Sequence, residues 1–343
     1  MELFDPNLYV QPPIAEQLQN QIRHPVGMSN KRFFSLVGAA GIGKSWLLNA
    51  LYRHVLEQGN VFVPLWLDLS PEAAHPIDKN VMLPDCHDEN GRLAWLQWWI
   101  EETNKICGIQ VAVFHEGSSF AVNLGLFLQS LCAHNPHLSP IMFVDGFDDL
   151  NDSTAGDFWQ EQVMARFWGE SCTCLFLARR DQQMLTLPVL IWNEEVMPLP
   201  GLTRREDQEE QIIRRSRYSE EPAPDPDMMR AILAQYMTSS PFLNTCLYHR
   251  AIQTIPPSVN ANDIARCLEA FMNRAGLSAG SVSLVSRLVR ELEAEWTVRD
   301  LRRLVPPIRL EDPEMVALFN AGIVQNIDRT PFYHVDEGLR ALL

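Results

Sequence analysis

The chain is short of lysine, which stands at only four of 343 positions, Lys31, Lys44, Lys79 and Lys105. Arginine therefore carries nearly all the positive charge, and a lysine in a special place is less easily put down to chance. Positive charge is itself scarce: 43 acidic residues face 28 basic ones, a formal net charge of −15. Such a chain repels nucleic acid and anionic lipid at long range, so DNA contact, disfavoured overall, would need a local basic patch. Paired cysteines are missing too. The seven cysteines (Cys86, Cys107, Cys132, Cys172, Cys174, Cys246, Cys267) are odd in number, scattered, and form no C-x-x-C. That excludes a disulfide-stapled scaffold and predicts reduced, mostly buried thiols. Zinc-ligand spacing is absent, since Cys86-His87-Asp88 is a lone cluster that reads as a polar loop. No uncharged apolar run reaches the roughly 18 residues a membrane span needs, and Met1 to Pro6 has no signal-peptide pattern. A cytoplasmic location without a membrane partner is expected.

What is present is the composition of a globular protein, 46% hydrophobic and 21% charged. Single cores stop growing at about 250 to 300 residues, so the length implies two or three domains. The first half alternates apolar runs with helical patterns, the signature of a parallel α/β sheet. The predicted strands are Phe33 to Val37, Val61 to Leu69, Ile141 to Asp145, Thr173 to Ala178 and Leu190 to Leu199. A polar loop, Ser70 to Gly91, and two helices, Leu93 to Lys105 and Ser119 to Cys132, fall between the second and third; Trp95, Trp98 and Trp99 mark a packing face. From Thr203, whose T-x-x-E spacing predicts a capping box, the pattern is helical. Tyr218 to Asp227 reads as a linker, followed by helices at Met228 to Met237 and Pro241 to Ile252. Three helices (Val282 to Glu293, Thr297 to Leu304, Pro313 to Asn320), a hairpin and a closing helix give a winged-helix pattern. The expected divisions are a lead-in over 1–30, an α/β domain over 31–202, a helical domain over 203–275 and a winged helix over 276–343.

The strongest chemical signal is Gly38-Ala39-Ala40-Gly41-Ile42-Gly43-Lys44-Ser45, a complete G-x-x-x-x-G-K-[ST] between an apolar strand and a helix that opens at Trp46. Glycines let successive backbone N–H groups point at phosphate oxygens, while Lys44 reaches the β and γ phosphates and Ser45 ligates Mg²⁺. The helix N-terminus adds anion affinity. Such a loop needs a carboxylate from a neighbouring strand, and Ile141 to Asp145 ends in one, assigned to the metal. Asp148 and Asp149 follow as candidates to orient or deprotonate a water, and spacing does not choose between them. A guanine-reading N-K-x-D is not completed, because Asn104-Lys105-Ile106 leads to Cys107, so ATP is preferred to GTP.

The pair G-x-x-G-x-G-K-S and Val144-Asp145-Gly146-Phe147-Asp148-Asp149-Leu150 resembles the signal-transducing (STAND) branch of P-loop ATPases, which includes the NACHT and apoptosome-type switches and is related to AAA+ proteins. That resemblance implies a P-loop sheet flanked by helices, then a small helical domain and a winged helix, using ATP/ADP and Mg²⁺. Asp149 stands where the family has glutamate, which implies slow hydrolysis. The resemblance also implies a sensor arginine at Arg180, with Arg179 the alternative, and an adenine-side proline at Pro241 in Ser239-Ser240-Pro241. Gapless comparison puts Asp336 where the family carries an ADP-binding histidine, with His334 two residues away. The function implied is an ATP-dependent switch whose sensor or effector is supplied by a partner protein, with room for a nucleotide-dependent homo-oligomer. The alternative is an AAA+ DNA-associated regulatory ATPase, of the transposition or origin-loader kind, with Arg299, Arg302 and Arg303 as its basic face.

Overall fold

The computed structural model describes residues 4–23, 32–38, 41–58, 62–70, 73, 75–77, 82–84, 88–134, 139–147, 158–170, 174–180, 185–199, 201–218, 224–321, 323–326, 330–335 and 337–343. The continuous apolar runs become strands buried on both faces: β1 (Arg32–Val37), β2 (Phe62–Asp68), β3 (Ser139–Asp145) and β4 (Cys174–Arg179). A fifth, β5 (Glu194–Pro198), is half exposed and begins later than its apolar run predicts, because Pro188 opens a one-turn helix, Pro188–Ile191, ahead of it. All pair in parallel, in the order β2-β3-β4-β1-β5. The strand ending in Asp145, expected from sequence to neighbour the P-loop strand, is separated from it by β4. Phe34, Phe176 and Phe143 fall in register across β1, β4 and β3 and stack at 5.2 Å per step, tying these three strands on one face.

The tryptophan-rich helix, Glu89–Cys107, does more than pack. Trp95 and Trp99 are buried, and both indole N–H groups donate to the Trp66 carbonyl, at 3.3 and 2.7 Å. Trp66 lies on an edge strand, so this helix satisfies backbone there and covers the β2 edge. The lead-in is part of the same core: Ala15, Leu18 and Ile22 of helix Pro13–Arg23 are buried in it. So are Trp159, Val163, Met164, Phe167 and Trp168 of a helix the strand pattern does not announce, which opens with a π-helical turn, Trp159–Met164, and continues over Ala165–Glu170.

Beyond β5 four helices follow, Arg205–Tyr218, Pro226–Leu233, Pro241–Ala251 and Ala261–Arg274. The first does not use Thr203 as its cap. The Arg204 carbonyl accepts the Asp207 and Gln208 N–H groups, while its guanidinium grips both Asp207 oxygens at 2.7 and 2.8 Å. The winged helix comprises Ala279–Glu291, β6 (Glu295–Thr297), Val298–Arg303 with its Thr297/Asp300 capping box, Pro313–Asn320, β7 (Val324–Asn326), β8 (Phe332–Val335) and Glu337–Leu342. Its sheet has the order β6-β8-β7, one strand more than the predicted hairpin. One hydrophobic core runs from Ile212 to Leu339 through both the helices and the winged helix. Of the described cysteines, Cys174 and Cys267 are buried and Cys107, Cys132 and Cys246 only partly so. The expectation of mostly buried thiols is therefore met at two of these five. No helix among the described residues is long and apolar enough to cross a membrane.

Trp99→Phe removes one of the two donors to the Trp66 carbonyl and some buried volume, and should destabilise the protein by about 1–3 kcal/mol in urea unfolding.

Candidate functional site

Gly41 and Gly43 both hold positive φ (75° and 100°), which L side chains resist, and Gly43 caps the helix Lys44–Glu57 in this left-handed conformation. The loop therefore turns tightly enough to present the helix N-terminus at the C-terminal end of the sheet. Lys44 is buried, and its Nζ donates to the Gly38 carbonyl at 2.9 Å. Ser45 Oγ, on the helix Lys44–Glu57, donates to Asp145 Oδ1 at 3.1 Å. Serine hydroxyl and aspartate thus meet as the motif requires, although β1 and β3 are not neighbours.

Asp145 is buried beside a second carboxylate that sequence reasoning missed. Asp68 ends β2 in register with Asp145 and is itself 5% exposed. Burial, and then the Asp68 charge, push the Asp145 carboxyl up to about 7, against the opposing pull of the Ser45 and Gly146 hydrogen bonds and the Lys44 charge. Two buried carboxylates against a serine hydroxyl form an oxygen-only donor set, which suits a hard divalent cation such as Mg²⁺. The only cue for Asp68 was its place at the end of an apolar strand, and its relevance depends on β2 lying next to β3.

Gly146 explains why this motif has glycine after the aspartate. Its φ is +67°, and a Cβ there would stand 2.3 Å from the Ser70 backbone nitrogen and 2.8 Å from Asp68 Oδ1. The chain leaving β2 packs directly on it, with Leu69 N–H donating to the Asp145 carbonyl at 2.9 Å.

A cavity of about 500 Å³ opens over these groups. Its floor is Gly41 to Trp46 with Asp68, Asp145 and Gly146; its walls are the lead-in residues Leu8, Tyr9, Val10 and Pro12 and the helical-domain residues Gln211, Arg215, Pro241, Phe242, Thr245 and Arg274. Trp46 is fixed at the loop by ring contacts with Phe4 (5.4 Å) and Tyr9 (6.3 Å). Pro241 begins its helix directly over the loop. Phe242 N–H donates to the Gly41 carbonyl at 3.3 Å, and the Pro241 carbonyl accepts from Gln211 Nε2 (2.9 Å) and Thr245 Oγ1 (2.7 Å). Lys44, Arg180, Arg215 and Arg274 line the cavity against Asp68 and Asp145, an excess of positive charge within a strongly acidic protein. That balance suits a polyphosphate.

The two sensor candidates part company. Arg180 lines the cavity and reaches the carbonyls of Arg274 and Ala275, each at 3.4 Å. Arg179 does not reach it. As the last residue of β4 it turns toward β5 and lies buried against Glu194 Oε1, with Nε at 2.9 Å and a terminal nitrogen at 2.8 Å. Its guanidinium is thus engaged in a buried ion pair, and of the two candidates only Arg180 is among the cavity-lining residues. Ala39, Ala40, Asp148, Asp149 and Asp336 lie outside the described residues. His334 sits mid-strand on β8, paired with Glu295 and Gln325, and is not among the cavity-lining residues.

No model of a known protein family matches the chain, and no curated protein matches it in sequence. Solved structures are similar. The ORC2 protein of Aeropyrum pernix, in ADPNP and ADP complexes, aligns over 99% of this chain and 93% of its own, at 13% identity and a TM-score of 0.50. The ORC1 protein of the same organism, in complex with DNA, covers 97% of this chain and 92% of its own at 13% identity and 0.47. The RuvB Holliday junction branch migration motor of Thermotoga maritima covers 96% and 93% at 11% identity and 0.44. At such identities the likeness defines the fold. It is a P-loop NTPase fold, a parallel sheet flanked by helices and followed by helical and winged-helix regions. Nothing in it is particular to the signal-transducing branch.

Gly146→Ala should cost about 1–3 kcal/mol through backbone strain alone. Gly169→Ala, at a helical glycine whose Cβ would meet nothing within 4 Å, is the control expected to leave stability equal or higher in the same denaturation experiment.

Proposed function

We propose that the protein is an ATP-binding, slowly hydrolysing ATPase in which the bound nucleotide bridges the α/β sheet and the helical domain. The observation that carries this reading is the cavity itself, where a P-loop lysine and a serine–aspartate pair lie beneath the helix opened by Pro241. Lys44 would exchange the Gly38 carbonyl for β and γ phosphate oxygens. Ser45 and Asp145 would hold Mg²⁺, which when bound offsets phosphate charge. Arg180 is assigned to the γ-phosphate, which would take it from the helical-domain carbonyls. Asp148 or Asp149 is assigned to the attacking water, and Trp46 and Pro241 to framing the nucleotide.

Two finer readings share this site. The switch acting with a protein sensor or effector in trans rests on the wording of the Asp145 motif. Regulation of DNA-associated machinery is favoured by the AAA+-type fold shared with the ORC2 chain through the winged helix. It is also favoured by Arg299, Arg302 and Arg303, all exposed on and around helix Val298–Arg303. Homo-oligomerisation with nucleotide is compatible with either.

Lys44→Ala should abolish ATP and ADP binding measured by calorimetry; unchanged binding would refute the site. If DNA is the regulator, duplex DNA should stimulate hydrolysis. Three phosphate contacts would give a log–log salt slope of about −2.7, and Arg299→Ala/Arg302→Ala/Arg303→Ala should flatten it. Hydrolysis indifferent to DNA would return the assignment to a protein-triggered switch.

A further inference from the structure

Behind one wall of the cavity lies a chain of buried polar side chains that neither nucleotide motif uses. Gln211 is 4% exposed, and Thr238 and Asn244 are each 1% exposed. Two backbone groups fix how all of them point. The Thr238 N–H can only donate, and it meets Asn244 Oδ1 at 2.8 Å; the Thr238 carbonyl can only accept, and it takes Asn244 Nδ2 at 2.9 Å. Asn244 Nδ2 gives its second proton to Gln211 Oε1 at 3.1 Å, which turns the Gln211 nitrogen toward the Pro241 carbonyl at 2.9 Å and Thr245 Oγ1 at 3.3 Å.

The chain of bonds ends on Thr245, which lines the cavity. A hydroxyl has one proton to give, and that of Thr245 goes at 2.7 Å to the Pro241 carbonyl, which can only accept. With the proton committed and one lone pair taken by Gln211, what Thr245 keeps for a ligand is its other lone pair. A free hydroxyl rotates to suit a donor or an acceptor, whereas this one is held as an acceptor. Its place matters as well. Helix Pro241–Ala251 starts over the phosphate loop, and Thr245 stands one turn, about 5.4 Å of rise, farther along the same face. A nucleotide whose phosphates lie on the loop carries its base toward such a wall.

We propose that Thr245 is a specificity-determining residue: its Oγ1 accepts a hydrogen bond from the exocyclic amine of an adenine base and rejects a base with a carbonyl at that position. Gln211 and Asn244 are positioning residues that hold the direction of the hydroxyl. The proposal rests on the reading of the cavity as a nucleotide site. A carbonyl at that position would set two acceptors face to face with no proton between them.

Inosine diphosphate, which has a carbonyl in place of the adenine amine, is compared with ADP by calorimetry on the full chain in the same Mg²⁺ buffer. The wild-type chain is expected to bind ADP about 10–100-fold more tightly. Thr245→Val keeps the shape and removes the lone pair, and should bring the two affinities within about threefold of each other by weakening ADP. Thr245→Ser keeps the hydroxyl and should keep the preference. An ADP preference undiminished in Thr245→Val would overturn the proposal, as would a wild-type chain that binds inosine diphosphate as tightly as ADP. So would an equal loss of both nucleotides in Thr245→Val, or a preference lost in Thr245→Ser as well, since either marks a packing role. Failure of the wild-type chain to bind either nucleotide would instead remove the nucleotide reading, and this proposal with it.

Discussion

The arrangement depends on close backbone approach at the P-loop. At Gly41 a Cβ would stand 2.8 Å from Phe242 Cβ, and it is there that the Phe242 N–H reaches the loop carbonyl. The α/β sheet and the helical domain therefore share the phosphate loop as a common surface. The lead-in closes a third side through Tyr9, whose carbonyl accepts from Arg214 at 2.7 Å. With those contacts the cavity has walls from three parts of the chain; a bulkier loop would leave it an open groove.

The core beneath the helical domain gives this contact its reach. Leu243, Leu247 and Tyr248, on the helix that touches the loop, belong to the same buried cluster as Trp296, Leu301 and Val335 of the winged helix. Interiors packed at crystal-like density transmit displacement instead of absorbing it. A shift of the Pro241 helix relative to the loop would thus be felt by the winged helix as well, because both belong to one packed core.

Much of this was legible in the sequence, for identifiable reasons. Buried parallel strands are written as unbroken apolar runs, and a phosphate loop has few alternatives to glycine and lysine, so β1 to β4, Lys44, Ser45 and Asp145 could be placed from one chain. The choice between Arg179 and Arg180 could not, because it depends on Arg179 meeting Glu194 of β5, a strand that does not adjoin β4 in the sheet. Asp68, Arg215 and Arg274 were invisible for a related reason. Each belongs to the site through strand order or helix packing, and none has a local pattern. The late start of β5 and the shifted cap at Arg204 are smaller cases in which a proline and an arginine–aspartate pair outweighed apolar content and capping-box spacing.

The hydrogen bond between Lys44 and the Gly38 carbonyl gives the site an internal competitor. The loop's own oxygen occupies the ammonium that a phosphate would take, and Arg180 is similarly engaged with the carbonyls of Arg274 and Ala275. Ligand capture is then an exchange reaction, whose free energy is a difference between bonds given up and bonds gained. Selectivity follows from that difference. An anion too small to replace both sets of contacts at once would gain little by entering, whereas a chain of phosphates long enough to satisfy lysine and arginine together would release the helical domain from one of its ties to the sheet.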